Sequence, residues 1–189
     1  MAKEDDLPFC LVRRLLDYDA ATGILHWNKR SPDLFVGKKY SAERACATWN
    51  GKFAGTIAAS FSHGYSRLRI MGRDYTAHRV IWCWMTGEWP ENDIDHANMD
   101  RSDNRWLNLR NATRSQNMAN IKAHKDSTLG IKGVAVHKYS GRIKYRARIR
   151  RNGQNISLGL FDAPELAGQA YWRASTEIDG EFARSECER

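Results

Sequence analysis

The chain has 189 residues, of which 42% are hydrophobic, with a formal net charge of +8 and a pI near 9.5. These values exclude an unfolded polyelectrolyte and fit one sizeable domain or two to three small modules. A basic chain attracts polyanions, so nucleic acid is the leading candidate partner, ahead of an ordinary soluble protein with surplus charge.

The cysteines and the first residues favour the cytoplasm. Cys10, Cys46, Cys83 and Cys187 contain no C-x-x-C pair, which argues against a zinc cage and a dense disulfide framework. Met1 to Asp6 lack the basic start and apolar run of a signal peptide, and no apolar stretch is long enough to span a bilayer. We therefore expect an intracellular protein with reduced thiols and no membrane segment.

The first quarter of the chain predicts one helix and one strand. Apolar residues between Leu7 and Leu16 share a helical face, and Asp19 to Gly23 is typical of a turn before a strand at Ile24 to Trp27. From Lys29 to Gly55 the periodicity is weak, so no element is predicted there.

A hairpin and a helix follow. Gly64 to Ile70 alternates in polarity, Met71-Gly72 suits a turn, and Arg73 to Thr76 can return as the second strand. A helix is predicted from Ala77 to Met85, ended by Gly87. The tryptophans around this helix are expected to supply core packing.

A polar segment between residues 94 and 121 has its own order of elements. The pattern predicts a strand at Ile94 to Ala97, a polar loop at Asn98 to Arg105, a second strand at Trp106 to Arg110 and a short helix at Thr113 to Ile121. The order is strand, loop, strand, helix.

This segment contains the groups that metal-assisted phosphodiester hydrolysis requires. Asp95 supplies a hard anionic oxygen for one Mg²⁺ or Mn²⁺ ion. Thr113 and Gln116 have capping-box spacing, which places Asn117 in the first turns of the helix, where its carbonyl oxygen can add a ligand. On a regular strand His96 points away from Asp95, so periodicity alone does not bring the two to one site.

Four short motifs occur in order here: His-Arg at 78 and 79, Asp-His at 95 and 96, Asp-Asn-Arg at 103 to 105, and Asn-Leu-Arg at 108 to 110. Residues 64 to 121 thereby resemble HNH nucleases of the ββα-metal fold, in the variant of phage and intron homing endonucleases whose last His is Asn. The resemblance implies that His96 is the general base and Asn108 orients its imidazole. It also implies that Asp95 and Asn117 hold a single divalent ion at the scissile phosphate.

Each of these residues has ordinary roles when taken alone, but one fold that explains all four favours the catalytic interpretation. Nearby arginines suit phosphate binding and transition-state stabilisation. His78 is expected either to pack beside the site or to touch DNA. The arginines concerned are Arg79, Arg101, Arg105, Arg110 and Arg114.

A second module is predicted after a polar linker. Strands are expected at Ile131 to Lys138, Arg142 to Arg151 and Gln154 to Phe161, joined at Ser140-Gly141 and at Asn152-Gly153, the latter a signal for a type I′ turn.

A helix is expected after the third strand. Asp162 is predicted to cap it, Pro164 to lie in its first turn and Gly180 to end it, and its apolar stripe would cover the sheet.

The second strand of this module is basic on one face. Arginine and lysine occupy alternate positions, and since solvated strands are usually mixed in sign, the pattern favours a polyanion such as the DNA major groove. The predicted DNA-binding residues of this strand are Arg142, Lys144, Arg146, Arg148 and Arg150.

The stretch from Gly130 to Arg184 resembles the Apetala-two (ethylene-response-factor) DNA-binding domain. The resemblance lies in Gly133-Val134, Tyr145-Arg146-Ala147, the strand end Leu158 to Phe161 and Gly180 to Ala183. The family's DNA-contacting aromatic residue on the second strand has no plain match, so no base preference is carried over.

The sequence thus predicts an α+β protein with a ββα-metal (HNH) nuclease core and a C-terminal three-stranded antiparallel sheet packed on one helix. Its expected regions are 1–55, an N-terminal candidate for DNA contact, 56–122 for the nuclease, 123–130 for the linker and 131–185 for the Apetala-two-type domain. The resemblance implies a homing or free-standing phage endonuclease of the bacterial host cytoplasm.

The expected partner is double-stranded DNA, which one such site would nick, with the protein a monomer or a weak dimer. The main alternative is a catalytically inactive DNA-binding regulator, against which the intact site residues argue. An RNA-binding accessory protein also fits the charge but leaves the metal-ligand pattern without a purpose.

Overall fold

A computed structural model describes residues 7–36, 40–123 and 126–184 of the chain. The chain divides into two compact units, Met1–Asn111 and Ala112–Arg189. No helix in the described ranges is long and apolar enough to cross a membrane. Met1 to Asp6, Cys187 and two linker positions, 124 and 125, lie outside the described residues. Among the described residues, Cys10, Cys46 and Cys83 form no disulfide.

The first unit alternates short helices with small sheets, in which β1 pairs with β2, β4 pairs with both β3 and β5, and β6 pairs with β7. Its elements, together with two 3-10 turns at Pro32–Leu34 and Trp106–Asn108, are α1 (Phe9–Leu15), β1 (Leu16–Asp19), β2 (Ile24–Trp27), α2 (Ala42–Phe53), β3 (Ser60–Ser62), β4 (Tyr65–Ile70), β5 (Arg73–Thr76), α3 (Ala77–Thr86), β6 (Asp93–His96) and β7 (Leu109–Ala112).

The core of this unit forms where α1 and α3 meet the hairpins. Val12 and Leu15 of α1, Ile70 of β4 and Val80 and Ile81 of α3 are completely buried. The prediction of α3 is confirmed, including its end at Gly87, which adopts the left-handed conformation with φ 90°. The hairpin around Met71-Gly72 is also confirmed.

The sequence missed or misplaced several elements of this unit. Helix α2 lies within residues 29–55, where no element was predicted, and β3 was also missed. The strand predicted at Trp106 to Arg110 is wrong in its first half. Trp106–Asn108 is a 3-10 turn, and β7 begins at Leu109.

The second unit is a short helix, a three-stranded sheet and a long helix. Its strands lie in the order β10, β9, β8, all antiparallel. The elements, followed by a 3-10 turn at Gly180–Phe182, are α4 (Arg114–Asn120), β8 (Val134–Tyr139), β9 (Arg142–Arg151), β10 (Gln154–Phe161) and α5 (Pro164–Asp179). The α+β class is confirmed, and the predicted meander is found.

The sheet and α5 pack around small residues. Ala147 of β9 and Ala167 of α5 are completely buried, and Val134 of β8 completes the core. Gly133 precedes β8 with φ 73°, and a Cβ there would lie 2.1 Å from the ring of Tyr171. A glycine is required because any side chain would push α5 off the sheet.

The turns of the second unit follow the prediction, but the predicted helix cap is wrong. Asn152 and Gly153 have φ values of 50° and 81°, as a type I′ turn requires. Pro164 begins α5, yet its N-cap is Ala163, without a side-chain bond. Asp162 instead pairs with the Lys144 ammonium, because a full positive charge attracts the carboxylate more strongly than helix N–H groups do.

Candidate active site

Asp95 and His96 end strand β6, and both are buried. Their exposed fractions are 7% and 4%, although alternation along a strand would send one of them to solvent. A loop covers the outer side of the strand, where the Ala97 amide donates to the Asn108 carbonyl at 2.9 Å. The acid and the imidazole therefore both lie inside the protein.

The Asp95 carboxylate is held by Arg110 of the neighbouring strand β7. Nε and Nη2 of Arg110 lie 2.9 and 2.8 Å from Oδ2 of Asp95. Both side chains are largely buried, at 8% and 17% exposure. Arg110, predicted to bind phosphate, is thus an ion-pair partner of the predicted metal ligand, and it offsets the cost of burying that carboxylate.

The His96 imidazole is positioned by Asn104. Nε2 of His96 lies 3.2 Å from Oδ1 of Asn104, whose Nδ2 donates to the Ser102 carbonyl at 3.2 Å. Because the amide nitrogen of Asn104 is used as a donor, its oxygen must accept, which assigns the ring proton to Nε2. The basic lone pair of the neutral ring is then on Nδ1.

Burial keeps this imidazole uncharged. Desolvation lowers the pKa of His96, and the hydrogen bond to Asn104 and the negative charge of Asp95 oppose the shift without cancelling it. A histidine that remains neutral at neutral pH can accept a proton, as a general base must.

His78 lies beside the site on α3. Its ring contacts that of His96 edge to face at 5.3 Å between centroids, and Tyr65 packs against it at 5.4 Å. Desolvation lowers the pKa of His78 to about 3. Of the two expectations for His78, its position fits packing.

Asn108 braces the loop, and within the described residues its side chain forms no hydrogen bond with the imidazole. Its Oδ1 accepts from the Asn98 amide at 2.9 Å, and its Nδ2 donates to the Asp103 carbonyl at 2.7 Å. The sequence assigned the orientation of His96 to Asn108, whereas the structure brings Asn104 to the ring. The motif Asp-Asn-Arg at 103 to 105 contained this residue, but its spacing gave no sign of the role.

The hairpin β1–β2 supports the same loop. The Tyr18 hydroxyl donates to the Asn104 carbonyl at 2.8 Å, and the Trp106 amide donates to the Ala20 carbonyl at 3.3 Å. Gly23 has φ 77°, and a Cβ there would lie 2.5 Å from the Arg105 amide nitrogen. The turn and the loop therefore fit only with glycine at this position.

The other three arginines predicted near the site in this unit also have partners within the protein, and two of them hold loops. Arg105 forms a two-pronged ion pair with Asp103, with distances of 2.8 and 2.6 Å, and its hydrogen bonds lower the pKa of Asp103 to about 2. Arg79 donates to the carbonyls of Asn92 and Pro90, both at 2.9 Å. Arg101 stacks over the ring of Tyr65 at 4.7 Å.

Asn117 and Arg114 belong to α4 in the second unit. The capping box of Thr113 and Gln116 is present, as predicted. At the other end of the helix the Lys132 ammonium donates to the carbonyls of Met118, Ala119 and Ile121, each at 2.7 Å. Both ends of this short helix are therefore fixed within the unit, and Asn117 is half-buried.

The chemistry of the donor set decides whether a metal ion fits. Within residues 7–36, 40–123 and 126–184, no three His, Cys, Asp or Glu side chains are grouped so as to hold one. A hard cation such as Mg²⁺ keeps several waters and needs only one or two protein oxygens. The carboxylate of Asp95 and the amide oxygen of Asn117 are ligands of that kind.

The basic face of β9 differs from this buried centre. Arg142, Arg146, Arg148 and Arg150 are exposed, and none of their side chains has a hydrogen-bond or ion-pair partner among the described residues. Lys144, on the same face, is engaged with Asp162.

Two uncharged side chains extend the basic face. Register places Tyr139 of β8 opposite Arg142 and Leu160 of β10 opposite Arg146, and their exposed fractions are 73% and 54%. One end of the face borders a cleft of about 870 Å³ lined by Arg114, Arg148 and Arg150. Residues of both α4 and β9, the strand that carries the unpaired arginine side chains, line this cleft.

Comparison with known proteins adds one family. Residues 75–119 match the family model of the HNH endonucleases, a segment that contains His78, Asp95, His96, Asn108 and Asn117. Neither the curated proteins nor the solved structures contain a match to the chain. The central segment is therefore similar to HNH endonucleases, and nuclease activity is the function that it indicates.

Proposed function

We propose that this protein is a divalent-metal-dependent DNA endonuclease in which His96 is the general base. The observation that carries the proposal is a neutral, buried imidazole, fixed by Asn104 beside the acidic Asp95, inside the segment similar to HNH endonucleases. A base, a metal ligand and an amide that positions the base are groups that metal-assisted phosphodiester hydrolysis uses.

In this mechanism a water molecule attacks the scissile phosphorus while Nδ1 of His96 takes its proton. The new P–O bond forms as the bond to the leaving sugar oxygen breaks, and that oxygen leaves with a proton from solvent. Asn104 keeps the accepting nitrogen in place through Nε2. Asp95 and Asn117 would hold one Mg²⁺ or Mn²⁺ ion, which neutralises phosphate charge when bound.

The basic face of β9 is the proposed DNA-binding surface of the second unit. Unpaired arginine forks bind phosphates and guanine edges without first breaking an internal ion pair. The resemblance to the Apetala-two domain adds the proposal that this sheet enters the major groove. Arg142, Arg146, Arg148 and Arg150 are its main contacts, with Lys144 a weaker one because Asp162 already neutralises it.

We further propose that the enzyme nicks its substrate. One site of this kind cuts one strand, so a monomer leaves an open circle, and a double-strand break requires a second site or a dimer. The resemblance also assigns the protein to the homing or free-standing phage endonucleases, acting in the bacterial cytoplasm.

The deciding experiment is incubation of supercoiled plasmid with the wild type and with His96→Ala, in Mg²⁺ or Mn²⁺ and in EDTA. We expect open circles only with metal and an intact His96, with the rate falling by about 10²–10⁴ in the variant. His63→Asn is the matched control because His63 is exposed in a turn at φ 50°, which asparagine tolerates.

The competing function is a DNA-binding regulator without activity. The unpaired arginines of β9 favour it because they serve binding alone, and Arg110 already engages the Asp95 carboxylate. Tight duplex binding with no cleavage in either metal would establish the regulator. Equal competition by RNA and DNA would instead favour the RNA-binding alternative.

A further inference from the structure

The first unit contains a small aromatic cleft to which the proposed nuclease assigns no role. Its volume is about 290 Å³, which lies near the lower limit for small-molecule sites. The end of β2, the helix α2 and the turn between β4 and β5 form it. The lining residues are Trp27, Arg30, Trp49, Phe53, Arg69, Met71 and Gly72.

Arg30 is held rigidly at the wall of this cleft. Its guanidinium lies 3.7 Å from the ring centroid of Trp49 and 5.1 Å from that of Trp27. Its backbone is fixed by Asn50 of α2, whose amide accepts from the Arg30 N–H at 2.8 Å and donates to the Arg30 carbonyl at 2.9 Å. The fork is therefore positioned before any ligand arrives.

The guanidinium of Arg30 lacks an anion. In the described part of the chain its side chain has no hydrogen bond or ion pair, and its Nε is buried without an acceptor. Arg14, Arg105, Arg110 and Arg151, by contrast, each bind a carboxylate. A partly buried cation with only aromatic partners is costly, and an incoming anion removes that cost.

A second cation lines the same cleft. Arg69 is exposed on β4 and donates to the Gly72 carbonyl at 3.0 and 3.2 Å, which holds its stem at the β4–β5 turn. Lys52 of α2 lies 5.1 Å from the ring of Phe53. No acidic residue is among those that line the cleft. Positive charge above an aromatic wall matches a phosphate group attached to an apolar sugar.

We propose that this cleft binds a phosphodiester group of the DNA backbone, with Arg30 and Arg69 as its ligands. The proposal rests on DNA being the substrate of the protein. It gives the first unit a substrate contact of its own, in addition to the arginines of β9, and it identifies phosphate, not a base, as the group bound.

The test is the salt dependence of binding to a duplex oligonucleotide, measured by fluorescence anisotropy in EDTA so that no cleavage occurs. The logarithm of the association constant falls linearly with the logarithm of salt concentration, and each lost phosphate contact reduces the magnitude of this slope by about 0.9. We expect that decrease, with weaker binding, in Arg30→Gln and in Arg69→Gln. Arg44→Gln is the charge-matched control because Arg44 is exposed on α2 and stacks on Tyr40 outside the cleft.

Arg69→Gln guards against loss of folding in Arg30→Gln, since Arg69 is exposed on its strand. A wild-type slope in Arg69→Gln and in a folded Arg30→Gln would overturn the cleft proposal while leaving the nuclease intact. If the slope is reduced in these variants but the wild type never cleaves plasmid, the phosphate site in the cleft is supported and the nuclease proposal is rejected. A wild type that does not bind duplex DNA would reject both.

Discussion

The charges around His96 and those on β9 are organised in opposite ways. Asp95, Arg110 and Asp103 are bonded within the fold and mostly shielded from solvent. The exposed side chains on β9 have no hydrogen-bond or ion-pair partners in the described ranges; they are Arg142, Arg146, Arg148 and Arg150. The ion pairs around His96 fix the positions of its neighbours, as a catalytic site requires. The arginines of β9 are not neutralised within the protein, so their charge is available to a ligand.

The comparison predicts how strongly each region is tied to folding. Substitutions in the buried centre should lower the free energy of unfolding, whereas substitutions on β9 should change DNA binding alone. Tryptophan fluorescence separates the two because six of the seven tryptophans lie in the first unit, leaving only Trp172 in the second.

Of the substitutions, Asp95→Ala is expected to have the largest effect. Removing the carboxylate breaks a buried ion pair with Arg110, and such a change costs about 3–5 kcal/mol. Denaturant titration of the first unit measures it. The double variant Asp95→Ala, Arg110→Leu should recover part of the loss, and a double variant less stable than the single one would contradict the ion-pair argument.

Asn108→Ala should have the next largest effect. The substitution leaves the Asn98 amide and the Asp103 carbonyl without their partner, which costs about 1–3 kcal/mol. Asn111→Ala, on the exposed side of β7, is the matched control and should change stability by less than about 0.5 kcal/mol. Equal losses in the two variants would mean that Asn108 does not brace the loop.

Acidification should destabilise the first unit progressively, by an amount that grows as the pH falls below 6.5. The folded-state pKa values of His78 and His96 lie below the unfolded value of 6.5, so the unfolded chain binds more protons below that pH. Stability is thus complete above pH 6.5 and falls as the pH drops towards about 3 for His78, by at most about 1.4 kcal/mol per pH unit for each histidine.

Denaturant titrations between pH 6.5 and 4.5 measure this effect above the range of Asp100 and Asp103, because hydrogen bonds from Ser102 and Arg105 lower the pKa values of those two carboxylates. His78→Gln should flatten the dependence by removing one of the two contributions. An unchanged slope in that variant would show that His78 is not held neutral by the fold.

The triple variant Arg146→Gln, Arg148→Gln, Arg150→Gln should have the smallest effect on folding. Exposed, unpaired side chains contribute little, so the stability of the second unit should change by about 0.5 kcal/mol or less per site. Far-ultraviolet circular dichroism reports both units, so a transition seen there but not in the tryptophan fluorescence of the first unit belongs to the second. Each substitution should reduce the magnitude of the slope of log association constant against log salt concentration by about 0.9. A large loss of stability would instead show that these arginines stabilise the fold.

The sequence predicted elements wherever a local rule decides the conformation. Asn152-Gly153 suits a type I′ turn with any neighbours, and Thr113 with Gln116 forms a capping box within one helical turn. Helix α2 was missed because of its twelve residues only Cys46 is fully buried, so its apolar face is too weak to give a helical period.

The sequence named candidate residues for the site but could not predict the contacts that they make. The motifs identified Asp95 and His96, but the hydrogen bond from His96 to Asn104 depends on how an irregular loop folds. The pairing of Asp162 with Lys144 likewise depends on sheet register, which brings together residues eighteen positions apart. Periodicity contains no information about either distance.

The contact of Gly23 and Tyr18 with the Asn104 loop limits how this protein can be recombined with others. Here the opening hairpin supports the loop that positions His96, through a hydroxyl bond of 2.8 Å and a turn with no room for a side chain. A chimera that replaces the first thirty residues must keep both features. The junction should therefore lie after the Asn104 loop, so that the hairpin and the loop are exchanged together.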